Sequence, residues 1–210
     1  MSQSAIVSTI VVVTKYFAFG LLGILPAAAG AQASIHVTMH GDAGDFVSGG
    51  KDSDVTYYAA TSHLFQATIT DPRSNGYPTA IGVVGWLNSV PDEEMSATFT
   101  TYMLPIPIGV GAYTDVRNSS INAAGHAGMN ISFEHRGVNV VLGNFTINSL
   151  SFHTSGTTYV LDYFDASFFQ YDEGGPKASW GTVTYNAVPE PASWSLVGLG
   201  VVAILRHRRR

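Results

Sequence analysis

Apolar side chains recur at every second position through most of the middle of this chain, the mark of half-buried β-strands. Ile35, Val37 and Met39 alternate with His36, Thr38 and His40. The stretch Leu64 to Thr70 is β-prone and runs into the turn Asp71-Pro72-Arg73-Ser74-Asn75-Gly76. Ala80 to Leu87 reads as a buried strand broken by Asn88-Ser89-Val90-Pro91-Asp92, and Met95 to Leu104 as a Thr- and aromatic-rich strand interrupted by Pro105 and Pro107. Further strands are expected at Met129–Phe133, Val138–Leu142, Asn144–Leu150, Thr158–Phe164 and Trp180–Tyr185, with Gly143 as a bulge or tight turn. About nine short strands with regular turns predict an all-β body, a single antiparallel β-sandwich of jelly-roll type. Between the two ends no long helical period appears; one short helix is expected near Glu93-Glu94.

The two ends follow another pattern. Lys15 precedes an apolar run from Tyr16 to Leu25, Pro26 breaks it, and small residues lead to Ala31-Gln32-Ala33. This is the layout of a signal peptide with an A-x-A cleavage site. Residues 1–33 are therefore expected to be a signal helix removed by signal peptidase, with Ser34 as the first residue of the mature chain. At the other end stand Pro189-Glu190-Pro191, an apolar stretch from Ala192 to Leu205 containing Trp194, and the basic end Arg206, His207, Arg208, Arg209, Arg210. The prolines disfavour helix at the residues before them, which makes the motif extended and accessible. This stretch of fourteen residues is expected to form a helix of about 21 Å at about 1.5 Å per residue, short for a hydrocarbon core of about 30 Å. The arginines set its end in the cytoplasm, with the body outside, in agreement with the leader.

This tripartite tail, residues 188–210, resembles the PEP-CTERM sorting signal of Gram-negative bacteria through Pro189, Glu190, Pro191, Trp194, Leu196, Gly198-Leu199-Gly200 and the arginines. His207 interrupts the arginine run common in that family. The resemblance implies recognition by exosortase, transient anchoring in the inner membrane, and delivery to the outer surface or extracellular matrix of a cell that makes exopolysaccharide or biofilm. It covers only the last residues of the chain and says nothing about the activity of the body.

Composition adds two constraints on the body, residues 34–187. The chain has no cysteine, so no disulfide contributes; a body of about 155 residues can bury an adequate core without one. It also holds 14 acidic and 5 basic side chains, leaving it nine charges negative. Such a surface excludes nucleic acid as a natural partner and leaves divalent cations open.

Candidate chemistry is sparse. Asp42, Asp45, Asp52 and Asp54 lie in a Gly- and Ser-rich stretch, where flexible carboxylates either are simply solvated or hold calcium. His36 and His40 share one face with Asp42 behind them, a partial zinc set without a third histidine nearby. Glu93, Glu94, Glu134 and Glu173 include enough carboxylates for glycoside hydrolysis, yet no spacing singles out a pair. No G-x-S-x-G and no phosphate loop is present. Aromatic residues gather at Tyr57-Tyr58 and at Phe164, Phe168, Phe169 and Tyr171, suited either to core packing or to stacking on sugar rings. The reading reached from sequence is a non-enzymatic structural or adhesive protein of the envelope or matrix, without catalytic residues or a required cofactor. The alternatives are a calcium-assisted module for carbohydrate such as exopolysaccharide, and a secreted hydrolase.

Overall fold

The computed structural model describes residues 32–187, apart from 73, 75, 88–92, 121–122 and 173–174. The signal segment and the sorting tail lie outside the described residues. Among the described residues no helix is long and apolar enough to cross a membrane.

Ten strands form the body: β1 Ser34–Gly41, β2 Ser53–Tyr58, β3 Ser62–Thr70, β4 Ala80–Leu87, β5 Glu94–Thr100, β6 Gly111–Asn118, β7 Gly128–Phe133, β8 Val141–Ser155, β9 Thr158–Asp172 and β10 Ala178–Asn186. The all-β expectation holds. The sandwich does not describe the result: all ten strands belong to one sheet, in the order β2-β1-β10-β9-β8-β6-β7-β5-β4-β3. The sheet is also mixed, because β6 and β7 run parallel through Arg117↔Gly128 and Asn118↔Met129. Among the described residues no helix forms at Glu93-Glu94, since Glu94 opens β5.

One sheet rather than two follows from how the strands bend. Gly181 of β10 sits where a Cβ would strike the backbone carbonyl of Thr38, and Gly143 of β8 where one would strike that of Phe169. Neighbouring backbones thus approach more closely than any side chain permits, and glycine lets the sheet coil at these points. Gly143 therefore does not divide two strands. The bulge lies opposite it on β6, between Tyr113 and Val116, where Asp115 adopts a φ of 53°.

Coiling brings the sheet edges β2 and β3 back together. They are consecutive in the chain, and the turn joining them is closed by the Thr61 N–H donating to the Tyr58 carbonyl at 3.1 Å. The barrel is thereby nearly closed, with a seam between β2 and β3. Tyr57 of β2 is fully buried there, its ring so close to Gly85 of β4 that a Cβ at Gly85 would overlap it.

Alternate residues of each strand fill the interior: Ile35, Val37 and Met39 from β1, Ile81 and Val83 from β4, Met129, Ile131 and Phe133 from β7. Phe99 of β5 meets Phe145 of β8 and Phe164 of β9 at ring-centroid distances of 5.0 and 5.4 Å, joining opposite walls. Such aromatic contacts add to simple area burial. The β8–β9 hairpin reaches past its neighbours: β6 pairs with β8 only as far as Ile147, and β10 with β9 only as far as Tyr163.

Candidate functional site: an aromatic groove on the outer face

Residues that point away from the core on β1, β10, β9 and β8 fall into two straight rows, because the strands pair in simple antiparallel register. One row is His40↔Trp180↔Phe169↔Asn144, the other Thr38↔Thr182↔Ser167↔Thr146. All of these but Thr146 line, together with Asp42, Tyr171 and Pro176, a shallow groove of about 840 Å³.

The first row is a run of near-parallel rings. His40 and Trp180 lie 6.1 Å apart at 25°, Trp180 and Phe169 6.3 Å apart at 20°, and Tyr171 meets Phe169 edge-on at 5.0 Å. Trp180 and Tyr171 keep 37% and 39% of their surface exposed, which presents apolar ring surface to the groove. The second row is polar: the Thr38 and Thr182 hydroxyls bond to each other at 2.8 Å, and the Thr182 N–H donates to Thr38 Oγ1 at 3.0 Å.

His40 is held from the far side. Its Nδ1 lies 2.8 Å from Asp52 Oδ1 on the approach to β2. A carboxylate accepts, so Nδ1 donates, and in the neutral ring Nε2 is left as an acceptor. His36 makes the corresponding pair with Asp54, Nε2 to Oδ1 at 2.7 Å. The two sequence clusters thus interleave, histidines on β1 against aspartates at β2.

The four aspartates go to separate tasks. Asp42 accepts from the Ala178 N–H at 3.0 Å. Asp45 is buried and accepts from the Ser48 N–H at 2.6 Å and from the Ser48 hydroxyl. It shapes a loop that folds inward with Val47 buried, and Arg136 Nε donates to the Val47 carbonyl at 3.2 Å. Asp52 and Asp54 serve the histidines. Among the described residues no group of three His, Cys, Asp or Glu side chains gathers as a metal would require.

Of the four glutamates weighed from sequence, Glu93, Glu94 and Glu134 come together around Tyr57. Glu94 pairs with His135 at 2.7 Å, and Glu134 with Arg136 at 2.6 Å. Burial first, then the charges of Glu93, Glu94 and Glu134, hold the Tyr57 hydroxyl well above the ordinary tyrosine range. That hydroxyl has no hydrogen-bond partner among the described residues. Glu173 lies outside them.

The aromatic cluster divides by strand period. Phe164 and Phe168 face inward and are buried, whereas Phe169 and Tyr171 face outward; Tyr57 and Tyr58 divide in the same way. Sequence reasoning left out Trp180, Asn144 and the hydroxyl row, which only the strand order brings together. The cleavage residues meet the body at one edge: Ser34 opens β1, the Ala33 carbonyl accepts from the Ala59 N–H at 3.0 Å, and Ala31 lies outside the described residues. The sorting residues Pro189, Glu190, Pro191, Trp194, Arg206, Arg208, Arg209 and Arg210 also lie outside them.

No curated protein and no solved structure is found similar to the chain. Residues 187–210 match the family described as the PEP-CTERM protein-sorting motif. The match implies export, membrane-anchored sorting and exosortase as the processing partner. The chain is thus an exported protein carrying a C-terminal PEP-CTERM sorting motif behind an all-β body.

Proposed function

We propose that the protein is a non-enzymatic structural or adhesive component of the envelope or extracellular matrix, and that its barrel holds polysaccharide in the outer groove. The observation that carries this reading is the ring row His40–Trp180–Phe169, with Trp180 exposed at its centre, beside a row of hydroxyls. Sugar rings offer C–H faces to aromatic rings and hydroxyl edges to threonine, serine and asparagine, so one groove satisfies both. The destination agrees, since a protein sorted to the surface of a polysaccharide-producing cell meets that ligand at high concentration. No cofactor is included, because the nearby carboxylates are engaged with His36, His40 and the Ala178 N–H.

The test is gel-affinity electrophoresis of the exported protein in gels containing exopolysaccharide from the producing culture. Wild type is expected to be retarded, Trp180→Ala to lose at least about tenfold in affinity, as for a central aromatic anchor, and a chelator to change nothing. Equal retardation of wild type and Trp180→Ala would remove the reading.

A further inference from the structure

The groove also carries information about the kind of glycan, an inference that rests on the reading above. We infer that its ligand is an uncharged polysaccharide lying crosswise to the strands, along the row from His40 to Asn144.

Direction comes from the register. The ring row and the hydroxyl row both run perpendicular to the strands and span the same four, β1, β10, β9 and β8. Three strand spacings of about 4.8 Å give each row about 14 Å, longer than a single sugar ring. The two rows lie two residues apart along each strand, or about 7 Å. A chain of pyranose rings laid along the first row therefore packs its apolar C–H faces against the ring surface that Trp180 and its neighbours present to the groove. Its hydroxyl edges then turn toward Thr38, Thr182 and Ser167. His40 Nε2 and the Asn144 amide stand at the two ends, where they meet successive residues of the polymer.

Charge comes from the lining. Among the described residues no lysine or arginine lines the groove, Asp42 does, and Asp52 stands behind His40. Across the body, 14 acidic side chains face 5 basic ones. Lys177, next to the lining residues Pro176 and Ala178, directs its ammonium toward Gly44. A uronic acid polymer would bring a carboxylate on each ring to a lining that, among the described residues, holds a carboxylate and no lysine or arginine, a repulsion only partly screened by salt. A neutral chain meets no such barrier.

Calorimetric titration of the exported protein separates these claims. The probes are neutral β-1,4-linked gluco-oligosaccharides of one to six units and galacturonate oligomers of the same lengths, each with and without calcium. The neutral series should gain at least tenfold in affinity between one unit and four, and lose it in Trp180→Ala but not in Trp180→Phe. Galacturonate oligomers should bind at least tenfold more weakly in both conditions. Equal or tighter galacturonate binding, including binding that appears only with calcium, would overturn the charge inference while leaving the carbohydrate reading intact. Affinity flat with chain length would overturn the crosswise placement. Absence of binding by both series, with the producing culture's own polysaccharide also unbound, would remove the carbohydrate reading and this inference together.

Discussion

Tyr57 shows how one residue couples the seam of the barrel to alkaline stability. Its ring fills space that Gly85 leaves open, while its hydroxyl is buried without a partner among the described residues. A buried hydroxyl in that position contributes no hydrogen bond and costs its desolvation, so Tyr57→Phe is expected to be neutral to slightly stabilising near pH 7. The pH dependence has a definite sign. Burial and the charges of Glu93, Glu94 and Glu134 raise the folded-state pKa above the ordinary value of 10.0. Stability from this group is therefore fully present below the unfolded-state value and is lost as pH rises beyond it, because only the unfolded chain readily releases the proton. Tyr185 acts in the same direction, through burial and then Asp162. Urea unfolding from about pH 9 to about pH 11, across the ordinary tyrosine pKa, should show wild type losing stability more steeply than Tyr57→Phe. A shallower but nonzero slope should remain from Tyr185. Superimposable slopes for the two proteins would mean that Tyr57 ionises as freely in the barrel as in the unfolded chain.

At the level of elements, strands with clean alternation were legible in the sequence and the others were not. β1, β3, β4, β7 and β10 fall close to where period two places them. β2 carries Asp54 amid polar and aromatic residues, and β6 holds a bulge with Asp115 at positive φ, so neither presents a clean apolar stripe. β8 and β9 are each 15 residues long because Gly143 lets β8 pass close to β9 instead of turning. The groove was legible only in pieces, Phe169 and Tyr171 among them, because cross-strand rows depend on strand order, which periodicity along one strand does not encode. The end of β10 does have a sequence explanation. Ala187 N–H donates to the Asp162 carbonyl at 2.8 Å, one step past the last ladder pair, Asn186↔Tyr163. In an extended continuation the N–H groups facing β9 would be those of residues 189 and 191, by the period of two, and both are prolines without a donor. Beyond Ala187 the sequence therefore offers no donor at the next two positions that such a ladder would use. Replacing Pro189 and Pro191 together by valine is expected to extend β10 along β9, read as slower hydrogen exchange in a peptide covering residues 156–162. Unchanged exchange there would mean that something other than missing donors ends the strand.

For the whole molecule, the tail assigns a destination and the body a surface, and the two have to be tested separately. The motif at 187–210 makes exosortase the processing partner. A helix over Ala192 to Leu205 would be about 21 Å long at about 1.5 Å per residue, short against a hydrocarbon core of about 30 Å. A short span with Arg206, Arg208, Arg209 and Arg210 beyond it suits transient anchoring better than permanent residence. Among the described residues the buried core runs from Ile35 to Tyr185 and comes from the strands and the loops between them. Removal of the leader after Ala33 would spare all of β1, at the cost of the acceptor that Ala33 provides to the Ala59 N–H. Intact-mass spectrometry of the protein from wild-type and exosortase-deficient cells measures both ends at once. Wild-type cells should yield a chain that begins at Ser34 and lacks the arginine end, released or surface-bound. Deficient cells should hold the same barrel in the membrane fraction with Arg210 still attached. Because the groove lies on strands that processing does not touch, both forms should bind polysaccharide equally after detergent extraction. A mature wild-type protein that retains its arginine end would contradict the sorting route while leaving the groove's chemistry unaffected.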